Sequence, residues 1–152
     1  MSESYPVRDY APGDYAGIAA LWTELGMGAV LRGDTADVIA RTIEKGGRLF
    51  VLEDAADGTI VGTSWVTDDG RRLLLHHFAV RPSHQGRGLA KTLLSASLRF
   101  ARERGMQIKL EVHRDNARAL ALYRGAGFVR LGDYDVYILR DVSSGETRRE
   151  GL

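Results

Sequence analysis

Cysteine is missing from all 152 residues. Its absence excludes disulfides, thiolate zinc sites and a cysteine nucleophile. Long apolar runs are missing too. Met1 to Tyr10 is polar and mixed in charge, and no long apolar run follows it, so neither a signal-peptide core nor a spanning helix is expected. This predicts a soluble, cytoplasmic protein with no membrane partner. An excess of one charge is also lacking: Lys and Arg number 21 and Asp and Glu 20, a formal net charge of +1. A duplex-coating nucleic-acid binder usually carries a basic excess, so no nucleic-acid partner is expected. A local basic pocket for a phosphorylated ligand stays open. Internal repeats and long linkers are lacking as well.

What is present is enough apolar residue, 44% of the chain, to build one real core. A single domain over residues 1–142 is expected, with 143–152 as a polar, frayed tail. A first helix should follow Pro12-Gly13-Asp14, because Ile18, Leu21, Trp22 and Leu25 recur at helical spacing before Gly26. A second, capped by Asp34 or Thr35, should bury Val38, Ile39 and Ile43 and end at Gly46-Gly47.

The period then changes to that of strands. Arg48 to Glu53, Thr59 to Thr67 and Arg72 to Val80 should form an antiparallel meander, with Asp57-Gly58 and Asp69-Gly70 as its turns. A long amphipathic helix from Gly88 to about Arg104 carries the stripe Ala90, Leu93, Leu94, Ser97, Leu98 and Ala101. Beyond it come a strand from Gln107 to Val112, a helix closed by Gly125 and Gly127, and strands Phe128 to Leu131 and Asp135 to Leu139. The strands flanking the long helix should lie parallel. The expected fold class is α/β (α+β): a mixed, mostly antiparallel sheet of about seven strands with about four helices.

The segment richest in chemistry is Val80-Arg81-Pro82-Ser83-His84-Gln85-Gly86-Arg87-Gly88-Leu89-Ala90. Its glycines let main-chain N–H groups approach a ligand, and the helix behind adds orphan amides and partial positive charge, which together suit a pyrophosphate. An ordinary glycine turn capping a helix is the plainer alternative. A Walker loop is excluded because Gly88 is followed by Leu89-Ala90, and a dinucleotide fingerprint because Lys91 stands where its third glycine is needed.

Gln85, Gly88 and Ala90 resemble the acetyl-CoA loop of the GNAT N-acetyltransferases, Gln/Arg-x-x-Gly-x-Gly/Ala. The run Leu110 to Asn116, the Ala-rich stretch with Ala119, Leu122 and Tyr123, and Gly127-Phe128 resemble that family's second signature. The resemblance covers roughly 48–139 and, more loosely, the first two helices. It implies an enzyme that transfers acetyl from acetyl-CoA to a primary amine, without a metal, in a ternary complex. It further implies a sheet splayed at the cofactor, with pantetheine along Phe78, Ala79 and Val80 as in strand augmentation. Gln85, Gly86, Arg87, Gly88, Leu89 and Ala90 would hold the phosphates. Asn116 and Tyr123, two helical turns apart, would meet the arm and the sulfur. Each has a bland alternative: a helix cap for Asn116, a half-buried aromatic for Tyr123.

Tyr123 is expected to protonate the departing thiolate. An alkyl amine with a pKa near ~10 must lose a proton, so a base is needed. Many members of the family carry a Glu on the strand before the loop; Leu73 to Phe78 has none. Glu111, His76 and His77 are the candidates, Glu111 favoured because Lys109, Glu111 and His113 share the face opposite Ile108, Leu110 and Val112. Adjacent His76 and His77 should point to opposite faces unless a bulge intervenes. Trp22, Met27, Trp65 and Tyr134 could line the acceptor side or simply pack. The acceptor would be a small-molecule amine or a peptide N-terminus, the protein a monomer or homodimer. A non-catalytic acyl-CoA sensor or other phospholigand-binding module is the competing class.

Overall fold

The computed structural model describes residues 4–28 and 32–143, which divide into two units, one up to Asn116 and one from Ala117 on. In the first, β1 (Val7–Asp9), β2 (Arg48–Asp54), β3 (Thr59–Asp68), β4 (Leu73–Val80) and β5 (Ile108–Leu110) form one sheet in that order. The first four strands are antiparallel, and β5 runs parallel to β4. Aspartates hold the turns. Asp57 accepts the Thr59 N–H, and Asp69 those of Arg71 and Arg72, which settles the hairpins where Asp-Gly pairs stand.

Helices cover both faces, and β3 shows it: it is buried without a break from Ile60 to Val66, the pattern of a strand with no wet side. On one face α1 (Tyr15–Glu24) and α2 (Ala36–Glu44) bury Ile18, Leu21, Trp22 and Ile39 against Leu49, Val51 and Trp65. The Trp22 and Trp65 rings stack 5.6 Å apart. Their N–H groups are not left dry: Trp22 Nε1 donates to Thr63 Oγ1 and Trp65 Nε1 to Thr42 Oγ1, each at 2.9 Å. Thr35 caps α2 by accepting the Val38 N–H.

On the other face lies α3 (Leu89–Arg104), which buries Leu93, Leu94, Ser97, Phe100 and Ala101. Phe100, absent from the expected stripe, packs edge-on to Phe50. Ile43, expected inside, is 37% exposed. Ser97 donates to the Leu93 carbonyl and meets Ser64 Oγ at 2.6 Å, joining α3 to β3 in a dry contact.

Two irregularities of β4 shape the region before the glycine loop. Thr63 pairs with Ala79 and Trp65 with His76, so His77 and Phe78 together face Ser64 in a bulge. Pairing with β5 stops at Leu75 and Leu110, while β4 continues to Val80. Among the described residues no strand pairs with that stretch of its outer edge.

The second unit contains α4 (Ala117–Gly125), ended by Gly127, whose φ is 100°. The expected strands Phe128 to Leu131 and Asp135 to Leu139 do not form. The sheet has five strands, not about seven. Alternating apolar residues give a segment the capacity to pair but no edge to pair with. Here Val129, Tyr134 and Tyr137 are 87%, 83% and 91% exposed. Of the expected tail, 144–152 lies outside the described residues.

The Ser64–Ser97 contact makes a direct prediction. Ser97→Ala leaves the Ser64 hydroxyl dry and unpartnered, costing about 1–3 kcal/mol and roughly 2–12 °C in Tm. Adding Ser64→Ala should recover part of that loss in thermal unfolding. A double variant less stable than Ser97→Ala would contradict it.

Candidate active site

The end of β4 is stitched down before the chain turns. Arg81 N–H donates to the Val61 carbonyl at 2.7 Å, and Gln85 Nε2 to the Val80 carbonyl at 2.9 Å. A single 3-10 turn, Pro82–His84, leads into Gly86 and Gly88, whose φ values are 80° and 76°. A Cβ at Gly88 would meet no atom within 4 Å, so left-handed backbone, and not crowding, is what asks for glycine there. Gly88 opens α3 directly. The first-turn amides, those of Leu89 and Ala90 included, point out of the helix end without intrahelical partners, where the helix field favours an anion. The Leu89 side chain is buried; what it can offer a ligand is its N–H.

Arg87 is exposed, and its Nη1 donates to Tyr5 Oη at 2.6 Å. Tyr5 also packs edge-on to His84, which reaches Asp54 at 3.3 Å. The segment before β1 therefore supports the loop, a role that no motif around Tyr5 announces.

Beside the edge that β5 leaves uncovered, the bulge reverses the expected parity of the two histidines. His76 lies opposite Trp65 in the ladder, and both imidazoles contact that indole, with centroids 6.2 and 5.6 Å away. Both are on the α1/α2 face. His76 Nε2 lies 2.9 Å from Thr67 Oγ1. The residue keeps solvent access, yet protein packed around its ring removes hydration. That loss first, and His77 second, push the His76 pKa below the ordinary imidazole value, while Glu111 and Asp34 push it back up. Glu111 is thus within electrostatic reach of His76. It is exposed with Lys109 and His113, while Ile108, Leu110 and Val112 are half-buried, as the alternation predicts.

His77 is enclosed. Its ring is edge-on to Trp22 at 4.4 Å, and its Nε2 lies 2.9 Å from Asp34 Oδ2. With Thr35 taking the cap, Asp34 is available for this contact, which no local pattern announces. Trp22 and Trp65 are buried core residues, and Met27 packs against the same cluster. Phe78 and Ala79 are half-buried and Val80 buried.

Asn116 is exposed, and its N–H donates to the His113 carbonyl. Tyr123 belongs to the second unit. It is buried on α4, edge-on to Phe128, and burial pushes its hydroxyl up to about 12. Among the described residues no group of three or more His, Asp or Glu could hold a metal ion, and no helix is long and apolar enough to cross a membrane.

Residues 15–128 match the profile of the acetyltransferase (GNAT) family. The mycothiol acetyltransferase of Clavibacter sepedonicus is 38% identical over 102 residues, which are 66% of this chain and 33% of that protein. The N-alpha-acetyltransferase RimI of Mycobacterium tuberculosis is 44% identical over 79 residues, 49% of each chain. The chain therefore spans between a third and a half of the length of these relatives. Among solved structures, an acetyltransferase of Trypanosoma brucei superposes with a TM-score of 0.73 at 22% identity, over 90% of this chain and all of that one, a likeness of fold. A strand that parts from its neighbour, a loop with two left-handed glycines and a profile match over most of the chain converge: this protein belongs to the GNAT acetyltransferase family.

Proposed function

We propose that the protein is an acetyl-CoA-dependent N-acetyltransferase acting on a primary amine, either a small molecule or a peptide N-terminus. The observation that carries this reading is the parting of β4 from β5 after Leu75, directly before the glycine loop that opens α3. The edge of β4 past that point, along Phe78, Ala79 and Val80, offers main-chain pairing to an extended amide-bearing arm, and the amides from Gly86 to Ala90 suit a pyrophosphate. Gln85 serves the loop by holding it to Val80. Arg87, fixed by Tyr5, adds positive charge at the rim. Acetyl-CoA supplies an acetyl thioester.

His76 accepts the amine proton. With its pKa pushed down, the ring is neutral at pH 7 and able to take a proton. Glu111, favoured as the base from sequence, has the further merit that a carboxylate attracts a cation. With both residues in reach of one another, the tasks divide: Glu111 draws the ammonium in, and His76 takes its proton. Tyr123, with its hydroxyl near 12, stays protonated at neutral pH. Against an ordinary thiol near ~8.5, full transfer from it is uphill. Its part is a hydrogen bond to the sulfur that strengthens as the C–S bond breaks, while Asn116 steadies the arm.

The first test is free-thiol release from acetyl-CoA across a panel of amines. Gly88→Glu adds bulk, charge and a left-handed penalty at the loop, so the folded variant should lose CoA binding by calorimetry. Unchanged affinity would reject the loop as the phosphate site.

Tyr123→Phe should lower kcat roughly 10- to 10⁴-fold with little effect on CoA affinity. A kcat within twofold would make it a packing residue.

The base is read from the lower limb of the kcat/KM profile. His76→Asn should abolish that limb. Glu111→Gln removes a charge that raises the His76 pKa, so the limb should move to lower pH and persist, with a higher KM for the amine. A limb abolished by Glu111→Gln and untouched by His76→Asn would make Glu111 the base.

A further inference from the structure

Among the described residues, His77 is the only non-glycine residue with positive φ, at 44°. A left-handed L-residue costs roughly 1–2 kcal/mol, and such outliers persist only where their surroundings over-determine them. The surroundings here are specific. Thr63 Oγ1 donates to the His77 carbonyl at 2.7 Å, and accepts from Trp22 Nε1. The His77 ring fits against Trp22 and Trp65, and Asp34 takes its Nε2. Asp34 is itself fixed, since Tyr15 Oη donates to its carbonyl at 2.8 Å. The bulge is thus pinned from α1, from β3 and from the segment leading into α2.

What the pinning achieves is visible one residue earlier. In a regular strand His76 and His77 would face opposite sides. With two residues of β4 set against one of β3, both rings rest on Trp65. His76 then sits on the α1/α2 face where the pairing with β5 ends.

We propose that Asp34 and His77 are a positioning pair: the Asp34 carboxylate, through His77, holds the left-handed bulge that sets His76 on the face of the sheet it shares with Glu111. His77 is not itself the base, because its ring is enclosed by two indoles and a carboxylate. The catalytic consequence rests on His76 being the base; the positioning does not.

Two variants separate these claims. Asp34→Asn keeps the shape and removes the charge. His77→Asn keeps a residue that tolerates left-handed backbone but is too short to reach Asp34. The readout is the titration of the His76 ring by proton NMR in the folded protein, which has four histidines; His76→Asn identifies the resonance. The charged and polar groups facing His76 are His77 on its own strand, Glu111, Asp34 and the Thr67 hydroxyl. His77 lowers the His76 pKa and Asp34 raises it. His77→Asn should therefore move the midpoint up and Asp34→Asn should move it down, while kcat falls about 10-fold in Asp34→Asn with the KM for acetyl-CoA held within about twofold. These shifts are what the two charges exert through space; position is read separately, as the NOE between the His76 and Trp65 rings, which is lost in both folded variants if the pair holds the bulge and kept if the two residues merely pack. A His76–Trp65 contact kept in both folded variants overturns the proposal. Loss of that contact in a protein that releases no thiol from acetyl-CoA retains the positioning pair and sinks the catalytic role of His76.

Discussion

The bulge at His77 and Phe78 is the constraint on which the candidate site depends. It changes the parity of β4, so that residues before and after it address the sheet faces differently from an unbroken strand. Upstream, Leu75 still pairs with Leu110. Immediately downstream of Leu75, β5 no longer covers the outer edge, and a second backbone irregularity, the pair of left-handed glycines, ends the strand's influence. The bulge is anchored through buried hydrogen bonds and aromatic packing, Trp22 to Thr63 to the His77 carbonyl, and is therefore tied to the same core that stabilises α1. A change that loosens that core would be felt at His76 without touching it. This is how a strained residue can be kept: many favourable contacts each contribute a little against one local cost.

Much of this architecture is legible in the sequence because it is written locally. Thr35 caps α2, Gly105 ends α3, Asp-Gly pairs turn the hairpins, and the strand–helix–strand unit around Gly88 is parallel. The glycine loop is legible for the same reason, since Gly86 and Gly88 occupy conformations that few other residues accept. Alternation alone makes Glu111 an exposed residue, as it is, although β5 ends one residue before it, at Leu110.

What is not legible needs partners distant in sequence. A run such as Val129, Leu131 and Tyr134 looks like a strand whether or not an edge is there to receive it, and here it stands exposed. Asp34 looks like a helix cap because Ser, Thr and Asp satisfy the same orphan amides; only the fold shows that its neighbour does that work and that Asp34 meets a residue 43 positions away. Tyr5 and Arg87 are 82 positions apart and meet because β1 lies beside β2. The bulge leaves no trace in the apolar pattern, since His76 and His77 read the same in either parity.

Charge completes the connection between fold and chemistry. A net charge of +1 says little about binding, because fields are screened over about 8 Å at physiological salt. What matters is the separation of sign along one strand. At the loop end of β4 stand Arg87 and Lys91, both exposed, with the amides of α3. At its bulge stand Asp34 and Glu111, both felt by His76. A polyanionic cosubstrate and a cationic amine would each find the opposite sign, a few residues apart on the same scaffold. The His76 ring lies at the second pole, where, on the proposed function, a proton taken from the amine would be opposed by lost hydration and then by His77, and favoured by the two carboxylates. Holding that balance requires both histidines on one face, and therefore requires the bulge.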